Sequence, residues 1–263
     1  MPIQISISNA IKGQAPSGGG SSFLNEYSFE FDGNTDYIEI ADADNLSFGN
    51  GTTDSAFSIS LWIKLSGTTF IEAPISKYGT DGLREYMIYI VNQKVRLLII
   101  DADTTAVRLV ETNNAISVGS WVHITTTYNG VGGNNAQNGM KIYINGILAS
   151  TNSITSGTYV AMENTSQPVE IGRYFNGVQY LAGNTDEVAI FDVELSASDV
   201  TSIYNGGVPN DLSSLSPISW WRMGEGATWD GIRDWTLRDA GSGGNDGTSQ
   251  NMAEDAKTTD VPT

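Results

Sequence analysis

The sequence predicts an all-β fold, a two-sheet antiparallel sandwich with one short helix near 196–205, and three stretches carry that prediction. Phe57, Ile59, Leu61, Ile63 and Leu65 alternate with Ser58, Ser60, Trp62 and Lys64, the period of a strand with one buried face. Asn145-Gly146, set between Lys141-Ile-Tyr-Ile144 and Ile147-Leu-Ala149, is a hairpin signal, because both residues of such a turn must accept positive φ. Asn184 to Tyr204 reads as a strand running straight into a helix. Val188 and Ile190 alternate with Ala189 and Phe191, Ser196 and Asp199 form a capping box, and Leu195 and Val200 occupy the hydrophobic-staple positions. Gly206 or Gly207 ends the helix.

In chain order, residues 1–22 hold an alternating run, Ile3-Gln-Ile-Ser-Ile-Ser8, and then the Gly/Ser/Pro-rich 13–22. This is either a frayed terminus on a flexible linker or an anchoring arm whose strand adds to a partner's sheet. From Tyr27 the pattern becomes dense in strands. Phe29 and Phe31 share a face, Asp32-Gly-Asn-Thr-Asp36 makes a turn, and Ile38 and Ile40 resume the alternation. Tyr86 to Val91 and Val95 to Ile100 are apolar on both faces, which predicts central strands covered on two sides. Val107 to Val110, Trp121 to Gly130, and Val169 to Gly172 supply further strands. From Pro209 the composition turns to Asn, Asp, Ser, Leu and Pro, the signature of a loop.

Composition narrows the partners. The 263 residues are enough for one large sandwich core, and a net charge of −17 with only 13 Lys and Arg leaves no basic footprint for nucleic acid. Cations and neutral polyols are the natural small partners. There is no Cys, hence no disulfide framework, and no apolar run approaches the roughly 18 residues of a membrane span. The N-terminus lacks the basic and apolar regions of an export signal.

Several stretches together resemble the laminin G-like (concanavalin A-like lectin/glucanase) family. Phe31-Asp-Gly with Asp36-Tyr37 is similar to its opening strand pair. Trp121-Val-His-Ile-Thr-Thr-Thr-Tyr-Asn-Gly130 is similar to its W-x-H-[VI]-x-x-T-Y-[DN]-G strand, and Lys141 to Gly146 to its hairpin. Thr185 to Tyr204 follows its closing strand and helix almost residue for residue. The resemblance implies a jelly-roll sandwich over 23–208, behind the arm and linker of 1–22. Ile218-Ser-Trp-Trp-Arg-Met-Gly-Glu-Gly226 and Asp239 to Thr248 resemble a family segment that normally precedes the opening strands; here it trails them. Residues 209–263 then either complete the same sandwich in permuted order, the preferred reading, or fill a neighbouring copy.

The resemblance also implies a structural calcium, with Asp186 as side-chain ligand and carbonyls around Asp32 and Gly33 as complement. The competing reading has Asp32 and Asp36 only making the turn and Asp186 pairing with local amides. For sugar, Trp62, Trp121 and Tyr143 are the candidate stacking residues, against a packing role for each. Catalysis is not expected. No E-x-D-x-x-E run supplies the carboxyl pair of a retaining glycosidase, and the sole histidine, His123, sits on a strand as a packing or hydrogen-bonding residue. The trailing segment is also similar to stretches of tailed-phage structural proteins. The expectation is therefore a non-enzymatic virion surface protein, a capsid decoration, fibre or tail component. It would be assembled in the host cytoplasm, anchored to other virion proteins through the N-terminal arm, and homo-oligomeric or lattice-bound. Host-surface glycans are its expected ligands, and neither nucleic acid nor membrane insertion is expected. The alternatives are a cellular carbohydrate-binding module or adhesin, and a degenerate glycoside hydrolase.

Overall fold

The computed structural model describes residues 23–68, 71–80, 82–174 and 179–263, so the predicted arm and linker of 1–22 lie outside the described residues. In order the elements are β1 (Ser28–Asp32), β2 (Tyr37–Ile40), β3 (Phe57–Leu65), β4 (Ile71–Tyr78), β5 (Arg84–Val91), β6 (Lys94–Asp101) and β7 (Ala106–Thr112). Next come β8 (Val122–Tyr128), β9 (Met140–Ile144), β10 (Ile147–Leu148), β11 (Thr151–Ser156), β12 (Val169–Ile171), β13 (Arg173–Tyr174) and β14 (Gln179–Tyr180). The chain ends with β15 (Ala182–Phe191), α1 (Ala197–Tyr204), β16 (Ser219–Trp221), β17 (Thr228–Trp229), β18 (Trp235–Leu237), β19 (Gly247–Gln250) and β20 (Lys257–Thr258).

Two large antiparallel sheets face each other. One runs β10-β9-β8-β3-β15-β1-β20 with β16 also on β15; the other runs β11-β7-β6-β5-β4-β12-β2-β19-β18-β17. The core between them takes the alternating sets the sequence singled out: Phe29 and Phe31 from β1, Ile38 and Ile40 from β2, Phe57 to Leu65 at odd positions from β3, and Val188 and Ile190 from β15. At roughly 1.5–3 kcal/mol for each fully buried large apolar side chain, this layer is the main stabilising term. Residues 209–263 contribute to both layers: β16 pairs with β15, β19 with β2, and β20 with β1.

One expectation about β3 changes. Its polar-side residues Ser58, Ser60 and Trp62 are as buried as its apolar side, because α1 covers the outer face of that sheet. The predicted capping box holds, Ser196 accepting from the Asp199 amide while Asp199 accepts from the Ser196 amide. Val200 and Ile203 of the helix then close over Ala189, Phe191, Leu195 and Tyr143. Ser58 ties the connection down: its hydroxyl donates to the Val193 carbonyl at 2.7 Å and accepts from the Leu195 amide at 2.9 Å.

The position of the candidate site follows from how β15 is partnered. β3 runs along one side of it. The other side is shared end to end by two strands, β1 against Ala182 to Thr185 and β16 against Val188 to Ile190. Asp186 and Glu187 face the gap between them.

Candidate functional site

The gap coincides with an irregularity in the strand. The register with β3 shifts between Asp186 and Ala189, and Glu187 sits at φ 47°, a left-handed conformation uncommon for a residue other than glycine. Straight alternation would send consecutive side chains to opposite faces. The bulge instead brings the carboxylates of Asp186 and Glu187 together, with Glu225 from the turn after β16 as the third member. Ligand oxygens of all three lie within 4.8 Å of one another. Asn25 and Glu26, just before β1, approach from the opposite side.

Each carboxylate is held. Asp186 accepts from the Asn25 side-chain amide and from the Glu187 backbone amide, both at 2.8 Å. Glu187 accepts from the Trp220 indole at 2.5 Å and from Arg222 Nε at 3.1 Å. Glu225 accepts through Oε1 from the backbone amides of Glu26 and Tyr27. Gly224 makes that approach feasible, since a Cβ there would meet the Tyr27 Cβ at 2.4 Å. Two oxygens at the junction, Asn25 Oδ1 and Glu225 Oε2, are buried without a hydrogen-bond partner.

The electrostatics are strained. Burial, and then the negative charge of Glu187, push the Asp186 carboxyl well above the ordinary range. Burial pushes Glu187 up to about 7, against the opposing pull of Arg222 and the Trp220 indole. Among the described residues one guanidinium faces three acids, and a buried charge without compensation is costly. Either protons or a cation must supply the balance. An all-oxygen donor set with two orphaned oxygens suits a hard divalent ion such as calcium; Asp186, Glu187, Glu225 and Asn25 Oδ1 are the groups that would hold it. Asp32 and Gly33 are not among them. Asp32 pairs with Ala182, four residues along β15 from Asp186, or about 13 Å at strand rise. Asp32 accepts from the amides of Asn34, Thr35 and Asp36, and these hold its pKa low although burial opposes them. That is the turn-making role.

Beside the junction a groove of about 550 Å³ opens to solvent, lined by Phe23, Tyr27, Asp211, Trp220, Arg222, Glu225 and Lys257 among others. Phe23 stacks on Trp220 with centroids 6.0 Å apart, the Arg222 guanidinium lies 4.2 Å from the Phe23 ring centre, and Lys257 Nζ lies 3.9 Å from that of Tyr27. Apolar ring faces set among carboxylates and cations are the chemistry that grips polyhydroxylated rings.

The expected stacking residues lie elsewhere. Trp62 is 3% exposed, packed against His123 and Tyr204, and Tyr143 is 4% exposed beneath the helix. Neither offers a face to a ligand. Trp121 is half-buried, its indole donating to Asp260 at 3.0 Å. His123 is fully buried, Nε2 lies 2.9 Å from the Ser60 hydroxyl, and burial alone lowers its pKa to about 3. Ser60 is 1% exposed, so substrate cannot reach this serine–histidine contact. The acidic trio falls near the spacing of a retaining glycosidase pair, but Asp186 and Glu187 are 0% and 3% exposed and lie side by side on one strand. They do not face each other across a cleft.

Sequence reasoning reached Asp186 and missed Glu187, Glu225, Asn25, Phe23 and Tyr27. The available signal was two acids in succession inside an otherwise alternating strand, the mark of a bulge.

Known proteins share the architecture. No curated protein sequence matches the chain. Among solved structures, a candidate carbohydrate-binding protein from Bacteroides ovatus superposes with a TM-score of 0.61 at 17% identity, over 89% of this chain and 61% of that one. The binding domain of botulinum neurotoxin serotype D superposes with a TM-score of 0.50 at 20% identity, over 73% of this chain and 47% of that one. The chain thus spans less than two thirds of either, and at these identities the likeness is one of fold. The pattern of the concanavalin A-like lectin/glucanases superfamily matches residues 32–201, and the chain belongs to that superfamily.

Proposed function

We propose that this chain is a non-catalytic, lectin-like attachment protein that holds a glycan in the groove beside the β1/β16 junction, with calcium at the junction as a structural ion. The observation that carries the reading is the groove itself, where the Phe23 and Tyr27 rings stand beside Arg222, Lys257, Asp211 and Glu225. The names of the neighbours in fold, a candidate carbohydrate-binding protein and a toxin binding domain, support the same reading. The buried positions of Asp186 and Glu187 support binding without turnover.

The setting proposed is a virion surface, as a capsid decoration, fibre or tail component anchored through residues 1–22. Its support is the likeness of the trailing segment to phage structural proteins. In this fold that segment supplies strands to both sheets.

A glycan array read with the native chain and with Tyr27→Ala and Lys257→Ala tests the function. Binding to a defined glycan set, weakened about tenfold or more by either substitution, is expected, with no product released on prolonged incubation. Release of reducing sugar overturns the non-catalytic reading. Binding that is indifferent to both substitutions overturns the site. Mass spectrometry of purified particles tests the setting, and absence of the chain from every particle fraction removes it.

A further inference from the structure

The side of the sandwich opposite the groove differs in charge from the rest of the molecule. From Thr112 to Met162 the chain carries one charged side chain, Lys141, although the whole has a net charge of −17. Lys141 is paired with Glu194 at 2.6 Å. This stretch builds β8 to β11, and β10 and β11 are the edge strands of the two sheets, joined by only two residues. The edges of both layers therefore lie on one charge-poor side, where Glu111, opposite Asn152 on the neighbouring β7, is already paired with Arg96 and Lys94.

That side is also apolar and open. Ile147 is 73% exposed and Leu148 56% on β10, and Ile154 is 50% exposed on β11. A notch of about 320 Å³, lined by Ile116, Ile144, Ile147 and Leu148 among others, opens beside them. β11 pairs with β7 over all six residues, and among the described residues no strand takes up the backbone groups of its other side. Natural edges are usually protected by charge, proline or a bulge. Thr151-Asn-Ser-Ile-Thr-Ser156 has no charged residue and no proline, and its register with β7 is unbroken.

We infer that the β10/β11 side is a self-association surface whose partner is a second copy of this chain. Charge selects that partner's approach. Two copies at −17 repel each other, and the charge-poor side, whose Glu111 and Glu194 are paired with Arg96 and Lys141, is where they meet with least repulsion. A two-fold axis beside β11 sets each edge antiparallel to its counterpart and seats aliphatic side chains of one copy near the notch of the other. The inference is independent of the glycan reading, since the groove lies on the far side of β15.

Sedimentation velocity on the full chain up to about 100 μM provides the test. The native chain is expected to form dimers. Ile154→Lys and Leu148→Asp, at positions 50% and 56% exposed, should each weaken them by about tenfold or more, with unchanged circular dichroism. Ile232→Lys, at an 82% exposed position elsewhere, should leave association intact. Added salt should tighten it, because only repulsion is screened. A monomer throughout the range overturns the inference. So does association that survives both edge substitutions, that Ile232→Lys weakens equally, or that depends instead on residues 1–22.

Discussion

Replacing Asp186 by Asn isolates the electrostatic burden of the junction. Burial, and then the negative charge of Glu187, raise the Asp186 carboxyl well above its ordinary value in the folded chain, so folding disfavours its charged form where the unfolded chain ionises it freely. A group with a raised folded-state pKa contributes stability below its unfolded value and loses it as pH rises toward the folded one. Every tenfold by which the folded chain disfavours the ionised carboxyl costs about 1.4 kcal/mol once the unfolded chain is ionised. Asn removes that term and keeps the shape. Asn25 can also turn its amide, so that its orphaned Oδ1 accepts from the amide group of the substituted side chain. With chelator at pH 7, Asp186→Asn should melt above the native chain, by roughly 2–4 °C for each kcal/mol so relieved, and the two should converge near pH 4. With calcium at about 100 times its dissociation constant the native chain should gain roughly 2.7 kcal/mol, and Asp186→Asn should gain little. Differential scanning calorimetry across pH, with and without calcium, reads both arms. A melting difference that is constant with pH refutes the electrostatic account, and an intact calcium increment in Asp186→Asn refutes the assignment of that residue to the ion.

Three further outcomes follow from the packing. Arg108 is 2% exposed and donates to the carbonyls of Val107, Asn134, Ser156 and Gly157 and to the Asn134 side chain, so Arg108→Met should cost roughly 3–5 kcal/mol in urea unfolding by orphaning those acceptors. Ser196→Ala removes one half of the capping box and should cost about 1 kcal/mol, read by the same unfolding curves. His123, with a folded pKa of about 3, contributes stability above its unfolded value of 6.5 that is lost as pH falls below it. His123→Phe should therefore flatten the acid side of the stability profile, and a slope between pH 6.5 and 4 equal to that of the native chain would contradict the buried neutral ring.

Local chemistry made most of the fold readable. The β3 alternation, the Asn145-Gly146 turn and the Ser196–Asp199 cap act within a few residues, and each appears where spacing puts it. The site is less readable because its contacts are remote. Asn25 meets Asp186 across 161 residues, and the Tyr27 amide meets Glu225 across 198. No window of sequence shows that β1 and β16 share one side of β15 and leave a gap. Trp62 departs from its pattern for a similar reason: its strand alternates like a half-exposed one, and only the return of α1, which lays Tyr204 over the ring, buries the outer face.

The split beside β15 brings Asp186, Glu187 and Glu225 together, and the proposed role of that trio is to seat a cation. The decisive measurement is calcium titration of the chelator-treated chain at pH 7, by isothermal calorimetry in buffers of different ionisation enthalpy. One ion per chain with release of protons from the crowded acids is the predicted result; no binding heat, or binding without proton release that persists in Asp186→Asn, would contradict it.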